Sequence, residues 1–260
     1  MNKEVIHHCA ELLRKAEKNH SVIVDPLVMI YPDITIEDAY RIQMVNVKAR
    51  QHEGARVIGY KIGITSKEAQ KVMGVSEPDF GHLFDDMLFE QEQSIPLSPV
   101  TRPKIEAEIA LIMGKSLSGP GVTMADVLNA AAVIVPAFEI VASRIADWKI
   151  AIQDTVADNA SGMALVLGAS RTSVEAIDLK CVGVTMERNG KVLDTVANAA
   201  LQGHPAQAVA WLANALGSRG LSLNAGAIIL TGALSKTIEV VPGDVFTARF
   251  DGLGTVKAIF

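Results

Sequence analysis

Aromatic residues make up only 5% of this 260-residue chain, and cysteine occurs twice. A core short of aromatic rings has to be built from Ala, Val, Ile and Leu, which is feasible because hydrophobic residues reach 49%. Cys9 and Cys181 match no metal or redox spacing, so a disulfide framework and a zinc site are excluded, and free thiols in a reducing compartment are expected. Mean hydropathy is high at +0.27, yet the longest uncharged stretch, Val196 to Ser218, is broken by Asn198, Gln202, Gly203, His204 and Pro205. No run of ~20 apolar residues is available to span a membrane. Met1 to His8 carries charges where a signal peptide would need an apolar stretch. Net charge is −5 with pI near 5.7, and no Lys/Arg cluster interleaves with aromatics, which excludes nucleic acid as a partner. A Gly-x-Ser-x-Gly elbow, a Gly-x-Gly-x-x-Gly turn and a Walker loop are all missing, so serine-hydrolase and nucleotide chemistry lack support. The absences leave a cytoplasmic protein acting on small molecules, and the surplus of apolar residues points to a homo-oligomer.

Local patterns predict an α+β chain: a helical N-terminal region over 1–55 and a β-rich core over 56–260. Apolar residues at helical spacing predict a helix over 3–20. Thr35-Ile-Glu-Asp38 resembles a capping box opening a second helix to about 53, and Thr65-Ser-Lys-Glu68 a third, ended by Gly74. Helical passages are expected at about 123–132 and 204–218, with His204 as a surface or capping group. A closing hairpin is expected at 245–250 and 255–260. Pro78-Asp79-Phe80-Gly81 reads as a turn, and 153–161 as a polar loop.

Against that background, three glutamates stand out. In Lys104 to Ile112, Ile105, Ala107, Ile109 and Leu111 share one face of a strand, and Glu106 and Glu108 share the other. Neighbouring carboxylates repel, and each raises the pKa of the other. Glu139 lies inside Val133–Val141, a nearly continuous apolar run that reads as a strand buried on both faces. One bound cation resolves all three anomalies, and an all-carboxylate set suits Mg2+ or Mn2+. The alternative is a solvated strand face, with Glu139 paired to an arginine such as Arg144. Lys61 is flanked by Gly59 and Gly63 on its own strand face, which marks open space or the close approach of a backbone or ligand. A divalent ion with open positions would take a 2-oxo acid through its carboxylate and 2-oxo oxygen, and would favour enolate chemistry. No additional Arg or Lys for a second substrate carboxylate can be placed from the sequence.

Several strings together resemble the 2-keto-4-pentenoate hydratases of the fumarylacetoacetate hydrolase superfamily. They are Gly59 to Lys67, Pro78-Asp-Phe-Gly81, Pro103 to Glu108, Pro136-Ala-Phe-Glu139, Asp147 to Ser161, Gly203-His-Pro and Pro242-Gly-Asp followed by Gly252-Leu-Gly254. The resemblance runs in order along essentially the whole chain. It implies a mixed β-roll core, Glu106, Glu108 and Glu139 as ligands of Mg2+ or Mn2+, and Lys61, Asp79 and Ser161 in the active site. It implies hydration of 2-hydroxypenta-2,4-dienoate to 4-hydroxy-2-oxopentanoate in meta-cleavage degradation of aromatic compounds. It also implies a homo-oligomer and a complex with a 4-oxalocrotonate decarboxylase. That decarboxylase is the competing activity on the same scaffold. Asp79, where decarboxylases tend to carry an apolar residue, and the Asp147-Trp-Lys-Ile stretch favour the hydratase.

Overall fold

The computed structural model describes residues 1–21, 25–98, 101–197 and 203–260. Three helices come first: α1 (Lys3–Lys18), the single turn α2 (Leu27–Ile30) and α3 (Ile36–His52). Asn2 caps α1 by accepting from the Val5 N–H, and the helix buries Ile6, Cys9, Ala10, Leu13 and Ala16, one apolar stripe. Thr35 and Asp38 close the expected capping box at α3.

Two sheets follow. In chain order the elements are β1 (Val57–Gly63), α4 (Lys67–Met73), β2 (Asp79–Phe84), β3 (Leu88–Phe89), β4 (Lys104–Met113), α5 (Met124–Ala130) and β5 (Ala131–Val141). Then come α6 (Ile152–Ala157), β6 (Gly162–Leu167), β7 (Gly183–Arg188), β8 (Lys191–Ala197), α7 (Pro205–Gly217), β9 (Ile228–Ala233), β10 (Ile238–Glu239), β11 (Val245–Phe250) and β12 (Gly254–Ile259). The larger sheet runs β2-β1-β9-β4-β5-β6-β3, with β10 pairing on β4, and it is mixed: β1 and β9 are parallel, while β4, β5 and β6 are antiparallel. The smaller sheet runs β12-β11-β7-β8. Ile105, Ala107, Ile109 and Leu111 are all fully buried, as the alternation in β4 requires. Their cluster also takes in the inner faces of α1 and α7 and the Phe246 and Phe260 rings of the smaller sheet.

Three expectations are corrected. The cap of α4 is Ser66, not Thr65: its side chain accepts from the Ala69 N–H, and Gly74 ends the helix in the left-handed conformation. Pro78 to Gly81 is not a free turn, because Asp79 opens the fully buried strand β2, in register with Gly63 of β1. Long-range pairing with β1 overrides the local turn signal of the Pro-Asp pair. The polar stretch 153–161 is not a loop either. It holds α6, whose Asp154 side chain accepts from the Ala151 N–H, and a 3-10 turn over Asn159–Ser161. Its polar density consists of a cap and a turn, while Ile152 and Val156 are buried. The expected breaks at Asn198 and Gln202 lie outside the described residues, and His204 does cap α7.

Candidate active site

The central strands bring the three glutamates together. Antiparallel pairing of β4 and β5 sets Glu106 opposite Glu139, and the two-residue period puts Glu108 on the same face as Glu106. Each of the three offers a carboxylate oxygen within 4.8 Å of the others. Glu108 and Glu139 are buried, and Glu106 is partly open to a cleft. Glu106 accepts a short hydrogen bond from the Thr237 hydroxyl, and Glu108 Oε2 accepts from the Gly232 N–H at 2.9 Å. Glu108 Oε1 and both oxygens of Glu139 lie buried with no well-formed hydrogen bond. Orphaned buried carboxylate oxygens are costly. Their convergence, with oxygen the sole donor type, fits a hard divalent cation such as Mg2+ or Mn2+.

Lys61 and Asp79 arrive from the other side. Lys61 on β1 places Nζ 3.2 Å from Glu139 Oε1 and donates to the Ala160 carbonyl at 3.0 Å. Glu139 therefore meets Lys61 and not Arg144, whose guanidinium is taken by Asp158. Gly63 is required here: a Cβ would come within 2.2 Å of Asp79 Oδ1 and 3.4 Å of Lys61 Nζ. Gly59 answers to a different neighbour, because a Cβ there would sit 1.8 Å from the Ile228 carbonyl of β9. So one glycine of the pair admits a carboxylate and the other admits a strand. Asp79 is 1% exposed, and neither of its oxygens has a hydrogen-bond partner. The Ser161 hydroxyl is likewise buried and unpartnered.

Ser161 is delivered by a strained turn. Asn159, Ala160 and Ser161 all have positive φ, at 53°, 50° and 58°. Each such residue costs about 1–2 kcal/mol, so something must hold the turn in place. The Asn159 side chain does, accepting from the His82 N–H at 2.8 Å and donating to the His82 carbonyl at 2.9 Å. Among the described residues, Ile64, Trp148, Ala160 and Ser161 combine a positive φ without being glycine and a place on the cleft wall.

The charges perturb one another. Burial alone would lower the Lys61 pKa, but Glu139, Asp79, Glu106 and Glu108 outweigh it and hold the ammonium more firmly protonated than usual. Burial raises Asp79 above the ordinary carboxylate range, against the pull of Lys61. Burial, then the charges of Glu139 and Glu106, push Glu108 well up. Burial pushes Glu139 up to about 7, with Lys61 opposing.

The cleft has a volume of about 520 Å³ and is lined by Lys61, Asp79, Glu106 and Ser161 among others, a size that suits a small organic acid. Sequence reasoning gave no site role to four contributors: the Thr237 hydroxyl, the Gly232 N–H, Lys104, and Trp148, which it named only within the Asp147-Trp-Lys-Ile stretch of the resemblance. Lys104 was within reach, since it lies on the same two-residue period as Glu106 and Glu108; it and Lys236 both line the cleft. The other contributors come from segments remote in sequence.

Residues 33–260 match the family described as Fumarylacetoacetate (FAA) hydrolase C-terminal, and the chain belongs to the fumarylacetoacetate hydrolase family. Within it, the chain is 47% identical to a 2-keto-4-pentenoate hydratase of Paraburkholderia xenovorans, across 91% of this chain and 88% of that protein. It is 45% identical to a 2-hydroxyhexa-2,4-dienoate hydratase of Comamonas testosteroni, across 90% of each. A 4-oxalocrotonate decarboxylase from Pseudomonas putida, solved with magnesium and adipate, superposes with a TM-score of 0.95 at 37% identity, covering 100% of this chain and 98% of that one.

Proposed function

We propose that this protein is a metal-dependent hydratase. It adds water to 2-hydroxypenta-2,4-dienoate and yields 4-hydroxy-2-oxopentanoate. The observation that carries this reading is the pairing of two sets of groups in one cleft. Glu106 on the cleft wall converges with the buried Glu108 and Glu139, and the unpartnered Asp79 and Ser161 line the same cleft with Lys61, which touches Glu139. The name of the relative at 47% identity supports this reaction, and that of the relative at 45% supports hydration of a 2-hydroxydienoate more generally.

The three glutamates would hold Mg2+ or Mn2+, which supplies Lewis acidity toward a 2-oxo oxygen. Lys61 balances part of the carboxylate charge and fixes the orientation of Glu139. Asp79, lacking any partner of its own, is free to exchange a proton or orient water at the carbon that is hydrated. Ser161 offers a hydroxyl to the same region. Ketonisation moves the 2-hydroxyl proton to C5, and water then adds its hydroxyl at C4 and a proton at C3, so a group able both to donate and to accept is needed near the carbon chain. A carboxyl whose pKa is raised by burial meets that need.

In its cellular setting this reading makes the protein a cytoplasmic homo-oligomer of meta-cleavage catabolism, associating with a 4-oxalocrotonate decarboxylase. Exposed Met29, Val72 and Val192 supply apolar surface for such contacts. Decarboxylation of 4-oxalocrotonate is the second reading, supported by the close superposition on a decarboxylase.

One assay separates the two. Purified protein is given freshly made 2-hydroxypenta-2,4-dienoate, with Mg2+ or with EDTA, and ultraviolet absorbance is followed. The expected result is metal-dependent loss of the dienol with 4-hydroxy-2-oxopentanoate formed. Absence of turnover, together with CO2 release from 4-oxalocrotonate, would replace the hydratase by the decarboxylase.

A further inference from the structure

The site face of β4 carries a third charged side chain. Lys104, Glu106 and Glu108 share it, and exposure rises along the row from buried Glu108 to the partly exposed Glu106 and Lys104. Each two-residue step along a strand covers ~7 Å. The row therefore runs from the carboxylate cluster outward to a cation at the mouth of the cleft, where Lys104 is part of the wall.

The acidic groups around Lys104 are engaged elsewhere. Glu239 pairs with Arg102 at 2.9 Å, Asp147 pairs with Lys149 at 3.3 Å, and Glu106 accepts from Thr237. Among the described residues no carboxylate forms an ion pair with Lys104. Its ammonium instead lies 4.0 Å from the centroid of the Trp148 ring. A cation–π contact holds an ammonium in place without neutralising it. Trp148 is itself fixed at an energetic cost. It and Asp147 both have a φ of 57°, and its indole N–H donates to the Arg102 carbonyl at 3.0 Å. A strained loop thus presents an aromatic platform under a lysine that has no counter-ion.

We infer that Lys104, positioned by Trp148, receives the oxygen of the substrate's 1-carboxylate that a cation held by the glutamates would leave free, and so sets which way the molecule lies in the cleft. This rests on the 2-hydroxydienoate reading above. The substrate is an anion with one carboxylate and an uncharged hydrocarbon tail. The groups left without partners for proton handling, Asp79 and Ser161, lie beside Lys61, which is already committed to Glu139 and the Ala160 carbonyl. Of the cleft's other lysines, Lys104 and Lys236, neither forms an ion pair among the described residues, but Lys236 is exposed, whereas Lys104 is half-buried and held by the Trp148 ring. The carboxylate then faces the mouth, and the carbon chain runs inward to the residues that act on it. Lys104 is thereby a binding residue, and Trp148 a positioning residue.

The test replaces Lys104 by Met and by Arg, and Trp148 by Ala and by Phe, with Lys149→Met as an exposed-lysine control. Two quantities are read on the Mg2+-loaded protein. One is the split of KM and kcat for 2-hydroxypenta-2,4-dienoate. The other is the calorimetric Kd for oxalate, which mimics the carboxylate end of the substrate and has no tail. For Lys104→Met the expected result is a rise of about tenfold in both KM and the oxalate Kd, the scale of one lost charge-assisted hydrogen bond. The kcat should stay within about threefold. Lys104→Arg should recover most of the loss, Trp148→Phe should retain more than Trp148→Ala, and Lys149→Met should match the unaltered protein. An unchanged KM and Kd in Lys104→Met overturns the inference. So does a raised KM with unchanged oxalate binding, since Lys104 would then be meeting the tail. If the unaltered protein fails to hydrate the dienol, the hydratase reading falls, while oxalate binding still decides the role of Lys104. Should Lys104→Met not fold, Lys104→Arg and the Trp148 pair carry the same comparison.

Discussion

Two groups of buried charge lie close together in this chain and are built on opposite plans. In the first, Arg144 meets Asp158. Its backbone N–H donates to Oδ2 at 2.9 Å, Nε to Oδ1 at 2.5 Å, and Nη2 to the Asp158 carbonyl at 2.7 Å. One cation meets one anion, and both are hydrogen-bonded. In the second, Lys61 faces four carboxylates, Glu106, Glu108, Glu139 and Asp79, and five of the oxygens in that cluster accept no well-formed hydrogen bond, Glu139 Oε1 having only its ion contact with Lys61. Burial alone does not separate the two, because Asp158, Glu108 and Glu139 are all nearly inaccessible. What separates them is balance. A pair that is neutral and satisfied holds the chain in shape, whereas a cluster left over-charged and unsatisfied is organised around something that binds.

The contrast predicts that charge removal acts on opposite properties in the two places, and the largest effect belongs to the unbalanced cluster. Glu108→Gln keeps the shape of the side chain and an oxygen for the Gly232 N–H, but deletes one of the mutually repelling charges. Turnover of the dienol is expected to fall on the order of a thousandfold, the scale seen when an electrostatic group at a reacting centre is lost. The thermal midpoint of the metal-free protein should hold or rise, because repulsion is relieved. The stabilisation on adding Mg2+, about 2.7 kcal/mol at a hundredfold excess over Kd for the unaltered protein, should shrink. Thermal melts with and without Mg2+, run beside the absorbance assay, check all of this. A variant that melts much lower without metal would mean that the cluster is structural after all.

At the balanced pair the expectation reverses. Arg144→Met strands Asp158, whose pKa burial already raises to about 6 even with the arginine beside it. Loss of one partner from a buried pair costs about 3–5 kcal/mol. The affinity of the folded fraction for Mg2+ should stay within roughly threefold, since the two groups share no hydrogen bond. Replacing both partners, Arg144→Met with Asp158→Leu, should restore most of the stability, because an apolar pair of matching volume needs no desolvation. Denaturant melts of the single and double variants test the pair as structure. If the single variant loses its Mg2+ response while remaining folded, the two regions are not separable as argued.

How much of this was legible in the sequence follows the range of the forces. The helix caps at Thr35 and His204 and the alternation through Glu106 and Glu108 are local, and the structure agrees with them. The geometric convergence of Glu139 with that pair could be suspected because a carboxylate in an apolar run has no cheap local explanation. Asp79 as a strand residue could not be read locally, since the pairing of β2 with β1 crosses an intervening helix and a Pro-Asp turn signal. The Thr237 hydroxyl and the Gly232 N–H join the cluster from far along the chain, and nothing in their own neighbourhoods marks them, while the Ala160 carbonyl lies in the polar stretch 153–161 that the sequence did single out. Lys104 differs from these, because its period with Glu106 was visible. The acidic pair drew attention to ligands of a cation and away from the cation two residues before them.

A third kind of buried titratable group sharpens the comparison through pH, with the smallest effect of the three. His82 on β2 is 3% exposed and is kept neutral; its Nδ1 lies 3.0 Å from Gln43 Oε1, and its pKa is lowered by burial from 6.5 to about 4. It avoids the cost of charge by staying unprotonated, where Asp158 offsets it with a partner and the glutamates leave it open. A depressed folded pKa means that the unfolded chain binds the proton first. The His82 contribution to stability is complete above pH 6.5 and is lost as pH falls toward 4. The shift of 2.5, from 6.5 to about 4, corresponds to roughly 3 kcal/mol at full extent, at about 1.36 kcal/mol per pKa unit. Asp158 acts in the opposite direction: its folded pKa is raised, so its contribution is present below pH 3.8 and is lost as pH rises through about 6. The measurement is therefore the difference between the unaltered protein and His82→Phe, taken from urea melts between pH 7 and pH 4.5. The variant should start less stable at pH 7, having left Gln43 Oε1 without its partner, and should then lose less as the pH drops, so that the two curves converge. Parallel curves would mean that His82 takes up its proton inside the folded protein without penalty, and the strands around it would then be open to water.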